Sequence, residues 1–309
     1  MFRFVARVVE PRAVQCHISP LRRNKAEVLQ EMTEFLTRWQ VLADASRLLA
    51  ALRAKRPLVH NITNLVAMDV SANVLLAIGA SPAMVHAGEE VAEFAGLADA
   101  LVVNTGTLSR PFADSMLLAA REMNRLGKPW VLDPVGAGAM AFRNGVLGDL
   151  LALKPAVIRG NASEILAMGR IAGLGGDSAA PRGVDSQHTT AAAEAMARLL
   201  ARHNGGTVAA TGAVDFITDG SRAVRLGNGD AMMARVTALG CALSAVCAGF
   251  AAVAEDGFAA ALAAVAVYGV AGEMAGLGAG GPGSFRAAFL DRLFHIGGDD
   301  LEAGLKVLP

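Results

Sequence analysis

The chain has 309 residues, 53% of them hydrophobic and 18% charged, with 28 basic residues balanced by 28 acidic ones. That composition supports a large buried core and excludes a disordered chain. A formal net charge of zero leaves no basic excess for releasing counterions from nucleic acid and gives no reason to expect an anionic membrane as partner.

Residues 1 to about 50 differ from the rest. Between Met1 and Lys25 stand Arg3, Arg7, Arg12, Arg22, Arg23 and Lys25, against Glu10 as the only acid. The segment has no long apolar run and so does not read as a secretory signal. It also lacks the serine enrichment of an organellar presequence, and Met32 offers an internal start. From Ala26 to Ala54 the spacing of Val28, Leu29, Met32, Phe35, Leu36, Leu42, Leu48, Leu49 and Leu52 predicts a helix.

After Pro57 short strand-like runs alternate with longer helical ones. Strands are predicted at Pro57–His60, Ser81–Val85, Ala100–Asn104, Pro129–Asp133, Ala156–Arg159, Thr207–Thr211 and Asp215–Thr218. Helices are predicted at Asn64–Ile78, Glu89–Ala98, Pro111–Leu126, Ala162–Met168, Thr189–His203, Gly240–Ala254 and Phe258–Leu277, and Gly173–Gly183 reads as a loop. The alternation predicts an α/β fold, a mostly parallel central sheet with helices on both faces, binding its ligands beyond the carboxyl ends of the strands. The mean hydropathy of +0.42 raises the question of a membrane span. The longest apolar stretches, Ala238–Ala254 and Phe258–Gly272, are separated by Glu255 and Asp256, are rich in Ala and Gly, and have no aromatic anchors at their ends. A spanning helix needs roughly 20 strongly apolar residues, so both read as buried helices of a soluble core.

Four segments carry candidate chemistry. In Leu132-Asp133-Pro134-Val135-Gly136-Ala137-Gly138-Ala139 a carboxylate ends a predicted strand and a glycine turn follows. Asp133 would enter the ligand crevice and could hold a cation, and the glycines would let backbone approach a phosphate; a purely structural turn also explains them. In Val157-Ile158-Arg159-Gly160-Asn161-Ala162-Ser163-Glu164 a strand ends in a guanidinium and a helix begins near Asn161. That pattern is close to a capping box, while Arg159 and Glu164 also suit phosphate and magnesium. In Val236-Thr237-Ala238-Leu239-Gly240-Cys241-Ala242-Leu243 a polar strand end passes through glycine into a helix whose N-terminus can stabilise a transferring phosphoryl group. The helix dipole there would favour a Cys241 thiolate, although such a cysteine is more often a small core residue. The fourth, His60-Asn61-Ile62-Thr63-Asn64, groups polar residues at a strand end, as does Val103-Asn104-Thr105-Gly106-Thr107; capping accounts for some of these and ligand contact for the others. No Walker A sequence is present, the Gly276-x-Gly278-x-x-Gly281 match follows a helical pattern, and the three cysteines, Cys16, Cys241 and Cys247, have no metal-binding spacing and fit a reducing, cytoplasmic setting.

In order, PLVHNITN, ANVLLAIGASPAM, EEVAEFA, ALVVNTGTLS, KPWVLDPVGAGA, VIRGNASEI, VAATGAVDFITDG, VTALGCALSAV, YGVAGEMA and GPGSF resemble the hydroxyethylthiazole kinases of the ribokinase-like superfamily. The resemblance implies residues 1–50 as an N-terminal extension, partly helical or disordered, and residues 51–309 as a ribokinase-like kinase domain. It implies ATP- and Mg2+-dependent phosphorylation of 4-methyl-5-(2-hydroxyethyl)thiazole in thiamine salvage. By position it implies Asp133 and Glu164 as magnesium-associated acids, Arg159, Thr211 and Asn161 as ATP contacts, and Met84, Asn64, Gly106 and Ala238 as substrate contacts. Cys241 and Gly240 would sit at the reacting centre, Cys241 where related sugar kinases place an aspartate. It further implies a homotrimer with active sites between subunits.

The sequence departs from that family in two places. The family usually has Gly-Thr-Gly-Cys or Gly-Ala-Gly-Cys where this chain has Ala238-Leu239-Gly240-Cys241, so Ala238 would hinder a positive φ and Leu239 adds bulk. It usually has Glu where this chain has Ala213. The change at Ala238-Leu239 leaves open a catalytically weak thiazole- or nucleotide-binding relative, and a separate alternative is a kinase for another small alcohol such as a hydroxymethylpyrimidine.

Overall fold

The computed structural model describes residues 34–175 and 186–309; the basic segment 1–25, Cys16, Met32 and residues 176–183 of the expected glycine-rich loop lie outside the described residues. In chain order the elements are β1 (Glu34–Phe35), α1 (Arg38–Lys55), β2 (Leu58–Ile62), α2 (Met68–Ile78), β3 (Ser81–Ala83), α3 (Val91–Leu97), β4 (Ala100–Asn104), α4 (Arg110–Arg125), β5 (Trp130–Asp133), α5 (Ala141–Ala152), β6 (Val157–Asn161) and α6 (Ala162–Ile171). There follow α7 (Ser186–Asn204), β7 (Thr207–Thr211), β8 (Asp215–Thr218), β9 (Arg222–Leu226), a 3-10 turn (Ala231–Arg235), α8 (Leu239–Ala251), α9 (Gly257–Gly276), α10 (Pro282–His295), α11 (Gly298–Gly304) and β10 (Val307–Leu308).

The strands form one sheet in the order β1-β9-β8-β7-β6-β5-β4-β2-β3, with β10 also on β9. Pairing is parallel from β3 through β7, and β8 runs antiparallel to both of its neighbours, β7 and β9. Successive side chains of a strand point to opposite faces, and here both faces are apolar. Val59, Val102, Val131, Val157 and Ala209 pack into one core with α1, α2, α8, α9 and α10. Leu101, Val103, Leu132, Ile158 and Val208 pack into the other with α3, α4, α5, α6 and α7. The α/β reading with helices on both faces holds.

Several expected boundaries move, each for a local reason. Of the helix expected over Ala26–Ala54, residues 26–33 lie outside the described residues; among the described ones Glu34 and Phe35 are strand and the helix starts at Arg38, where Thr37 caps it and Gln40 reaches back in a capping box. That helix runs through the expected 50/51 boundary, and Val41, Leu42, Ala45, Leu48 and Leu49 join the same core as the rest. The helix expected from Asn64 begins at Met68, because the Asn64 side chain instead accepts from Val66 N (3.1 Å) and Ala67 N (3.0 Å) in a turn. Arg159 does not end its strand, which continues to Asn161. No strand precedes Ala238; a 3-10 turn capped by Asp230 does. α9 is long and apolar enough to cross a bilayer, yet 89% of its apolar window is buried inside the fold. Its side chains form the centre of the first core, as expected for a core helix.

Candidate active site

Parallel pairing brings the carboxyl ends of β2, β4, β5, β6 and β7 side by side, and the polar residues at those ends converge on the N-terminus of α8. Asp133, the last residue of β5, is fully buried. Its Oδ2 accepts from Asn104 Nδ2 at 2.6 Å and from Ser244 Oγ at 2.8 Å. Its Oδ1 is buried with no hydrogen-bond partner. Burial pushes the Asp133 carboxyl up to about 6, with the nearby Glu164 adding to the rise and Arg159, Ser244 and Asn104 opposing it.

The Arg159–Glu164 segment forms the expected helix cap. Asn161 caps α6, its side chain accepting from Glu164 N (3.0 Å) while Glu164 Oε2 accepts from Asn161 N (2.9 Å). Glu164 Oε1 also accepts from Gly136 N at 3.3 Å, which ties the cap to the glycine turn after Asp133. Arg159 spans the site: Nη1 donates to Gly240 O at 2.9 Å and Nη2 to Thr211 Oγ1 at 2.5 Å. Asp215, at the start of β8, accepts from Gly212 N at 2.9 Å, and burial pushes it up to about 6 against the pull of that amide and of Arg159.

A second cluster lies across α8. Asn64 Nδ2 donates to Asn104 Oδ1 (2.9 Å) and to Cys241 Sγ (3.4 Å), and Gly106 N donates to the same Asn104 oxygen (3.0 Å). A Cβ on Gly106 would come within 2.5 Å of Asn64 Cβ, so this contact requires glycine. Met84 is half-buried one residue beyond β3. Its neighbour Val85 is pinned by His60, whose Nε2 donates to Val85 O at 2.7 Å. Asn64, Gly106, Asn104, Cys241 and Asp133 are therefore linked by hydrogen bonds, while Met84 stands just past β3, the strand that pairs with β2. Asn61 bonds only within its own strand, to Val59 O.

Of the two readings of Cys241, a thiolate favoured by the helix dipole and a small core residue, its surroundings oppose the first. Burial raises its thiol pKa, and the neighbouring Asp133 raises it further, outweighing the Asn104 and Asn64 donors and Arg159. The group is a protonated thiol at neutral pH, and helix position alone does not make it a thiolate.

Ala238 does take the conformation that a glycine would take freely: φ 64°, ψ 5°, at the N-cap of α8. The first amides of α8 have no partner within the helix, and Gly240 is exposed. Leu239 is packed into the core, 3% exposed, with its carbonyl accepting from Tyr268 Oη at 2.7 Å. A left-handed alanine costs about 1 kcal/mol, and a glycine returns part of this through a freer unfolded chain. Ala238→Gly is expected to raise Tm by about 1–3 °C with turnover little changed, because the backbone already has the required shape. A rise in turnover above about tenfold, or more than 1.4 kcal/mol in the barrier, would show instead that the alanine distorts the helix start.

Beside these residues opens a cavity of about 570 Å³. Arg159, Asn161, Thr211, Ala213 and Gly240 line its polar side, and Met233, Leu243 and Val265 its apolar side. Sequence reasoning missed the apolar wall, since Leu243 and Val265 read as core and Met233 lies in a turn with no pattern. It also missed Ser244. A polar residue at i+3 from Cys241 in an otherwise apolar helix was the available signal.

Among the described residues no group of three or more His, Cys, Asp or Glu side chains is arranged to hold a metal. The unpartnered Asp133 Oδ1 nevertheless fits a hard cation that keeps most of its water and takes one or two carboxylates plus substrate phosphates.

Residues 49–299 match the hydroxyethylthiazole kinase family. The chain belongs to that family. A hydroxyethylthiazole kinase of Rhizobium etli (strain CIAT 652) is 56% identical over 261 residues, covering 84% of this chain and 99% of the relative. One of Cereibacter sphaeroides (strain ATCC 17025 / ATH 2.4.3) is 54% identical, covering 84% and 96%. The solved hydroxyethylthiazole kinase of Pyrococcus horikoshii OT3 superposes with a TM-score of 0.78 at 40% identity over 85% of this chain and 98% of that one. A Staphylococcus aureus pyridoxal kinase, at 14% identity and a TM-score of 0.51, shares the ribokinase-like fold. As a hydroxyethylthiazole kinase family member the chain is a phosphotransferase acting on an alcohol.

Proposed function

We propose that the chain phosphorylates the primary alcohol of 4-methyl-5-(2-hydroxyethyl)thiazole with ATP and Mg2+, in thiamine salvage. The observation that carries the reading is the meeting, at one helix N-terminus, of a cavity of nucleotide size with a separate polar cluster around Asn64 and Cys241. ATP occupies the cavity, its base against Met233, Leu243 and Val265, with Arg159, Thr211 and Asn161 turned to its phosphates. The thiazole sits by Met84, Asn64 and Gly106, its hydroxyl near Cys241. Asp133 and Glu164 would hold a magnesium ion, and the chemistry it would supply there is neutralisation of triphosphate charge.

Positioning and charge stabilisation carry the catalysis. The alcohol oxygen attacks the γ-phosphorus as the bond to the ADP oxygen breaks. Arg159 and the free amides of α8 around Gly240 face the charge that spreads over the transferring group. A loose transition state demands little deprotonation of a primary alcohol, so the protonated Cys241 thiol serves to place the hydroxyl and not as a base. Ala213 leaves the hairpin between β7 and β8 without the usual acid, and Asp215 is the carboxylate that remains there.

The site is completed in a homotrimer, which we place in the cytoplasm. Leu65 and Val66, directly after Asn64, are 63% and 57% exposed, an apolar pair that a neighbouring subunit would cover. The test of the activity is ADP release by the purified chain with Mg-ATP, with and without the thiazole. Release that depends on the thiazole is the expected result. Thiazole binding without release would leave the weak-relative reading, and release only with a hydroxymethylpyrimidine would reassign the alcohol.

A further inference from the structure

We propose that Ser244 and Asn104 are positioning residues for the cation: together they hold one oxygen of Asp133 and leave the other, Oδ1, as the one free to take the ion. The inference rests on the assignment of Asp133 to the cation and extends it to two residues that line no part of the nucleotide cavity.

Ser244 is fully buried in the second turn of α8. A helical serine commonly returns its hydroxyl proton to the carbonyl four residues back. Here that carbonyl, Gly240 O, takes Arg159 Nη1 at 2.9 Å, and the Ser244 proton goes to Asp133 Oδ2 at 2.8 Å. The same oxygen receives Asn104 Nδ2 at 2.6 Å. The orientation of the Asn104 amide is itself fixed, because its Oδ1 accepts from both Gly106 N (3.0 Å) and Asn64 Nδ2 (2.9 Å), so the NH2 end must face Asp133. Two donors on one oxygen, coming from α8 and β4, fix the rotation of the carboxylate. Oδ1 is left as the buried acceptor without a donor. A ligand carboxylate held in this way loses no rotational freedom when a cation arrives.

The test compares the affinity for the ATP analogue AMP-PCP with and without Mn2+, by calorimetry, in the wild type, Ser244→Ala and Asn104→Ala. The quantity read is the factor by which Mn2+ tightens AMP-PCP binding. A side chain that only supports the fold would weaken both affinities and leave this factor unchanged. We expect Ser244→Ala to lower the factor about tenfold with metal-free affinity unchanged. Asn104→Ala should lower it similarly, and it carries the test alone if Ser244→Ala does not fold. An unchanged factor in the folded variants overturns the positioning role while leaving Asp133 as the cation residue. A wild-type factor near one overturns the cation assignment itself, and the inference with it.

Discussion

Asp133→Asn is expected to cripple phosphoryl transfer and, in the same molecule, to make the protein more stable. The asparagine fits as the carboxylate does: its oxygen can accept from Ser244 and Asn104 at the Oδ2 position, and its NH2 takes the place of the unpartnered Oδ1. What is lost is a charge held in a fully buried position, mainly against the penalty of burial. A carboxyl raised from 3.8 to about 6 contributes its full stability below pH 4 and loses it as pH rises through about 6. The loss corresponds to about 3 kcal/mol at higher pH. Asp133→Asn escapes that loss. Measured without divalent cation, its Tm should exceed that of the wild type by about 5–10 °C at pH 8, and the difference should shrink to nothing near pH 4. Activity should fall on the order of 10²-fold or more. A Tm difference that is the same at both pH values, or a variant less stable at pH 8, would contradict this account. Catalytic groups held against local stability are a common trade.

Arg159 should show the second large effect. Its guanidinium lowers both raised carboxylates, Asp133 and Asp215. It also bridges α8 and β7 through Gly240 O and Thr211 Oγ1. Arg159→Met is expected to lower kcat/KM for ATP by about 10²–10³ and to move the acid limb of the kcat/KM profile to higher pH, since the free enzyme's carboxylates then ionise later. Arg159→Lys keeps the charge and should keep the acid limb in place. It loses the planar fork that reaches both acceptors, at a cost of about tenfold in kcat/KM. Two variants with equal losses and unmoved acid limbs would show that Arg159 acts by contact alone and does not set the ionisation of its neighbours.

The strands that carry the site were legible because their apolar runs are short, unbroken and closed by a polar residue. Ala100–Asn104 and Thr207–Thr211 keep their expected bounds. β9 was not legible, because Arg222-Ala223-Val224-Arg225-Leu226 places arginines where a buried strand would be apolar, and it finds its place only by pairing with β8. Glycines at 145 and 148 similarly hid α5. At the site, Asp133, Glu164 and Cys241 stood out because each lies at a junction between a strand or turn and a helix, and Arg159 because it is a charge inside an apolar strand just before one. The residues around them did not. Ser244 acquires meaning only from a carboxylate 111 positions away, and the state of the Cys241 thiol depends on burial that no local pattern encodes.

An open strand edge recruits other chains, and proteins cover such edges. β9 would be one. Glu34 and Phe35 pair with it at Arg222 and Ala223, and Val307 and Leu308 pair with it at Leu226 and Arg225. Phe35 also lies beneath the guanidinium of Arg225, 4.7 Å from its ring centroid. The two strand residues ahead of α1 lie at the sheet edge, well away from β5 and Asp133. With the end of the chain, they close the margin along which one molecule could otherwise zip onto the next, and so guard the protein against aggregation.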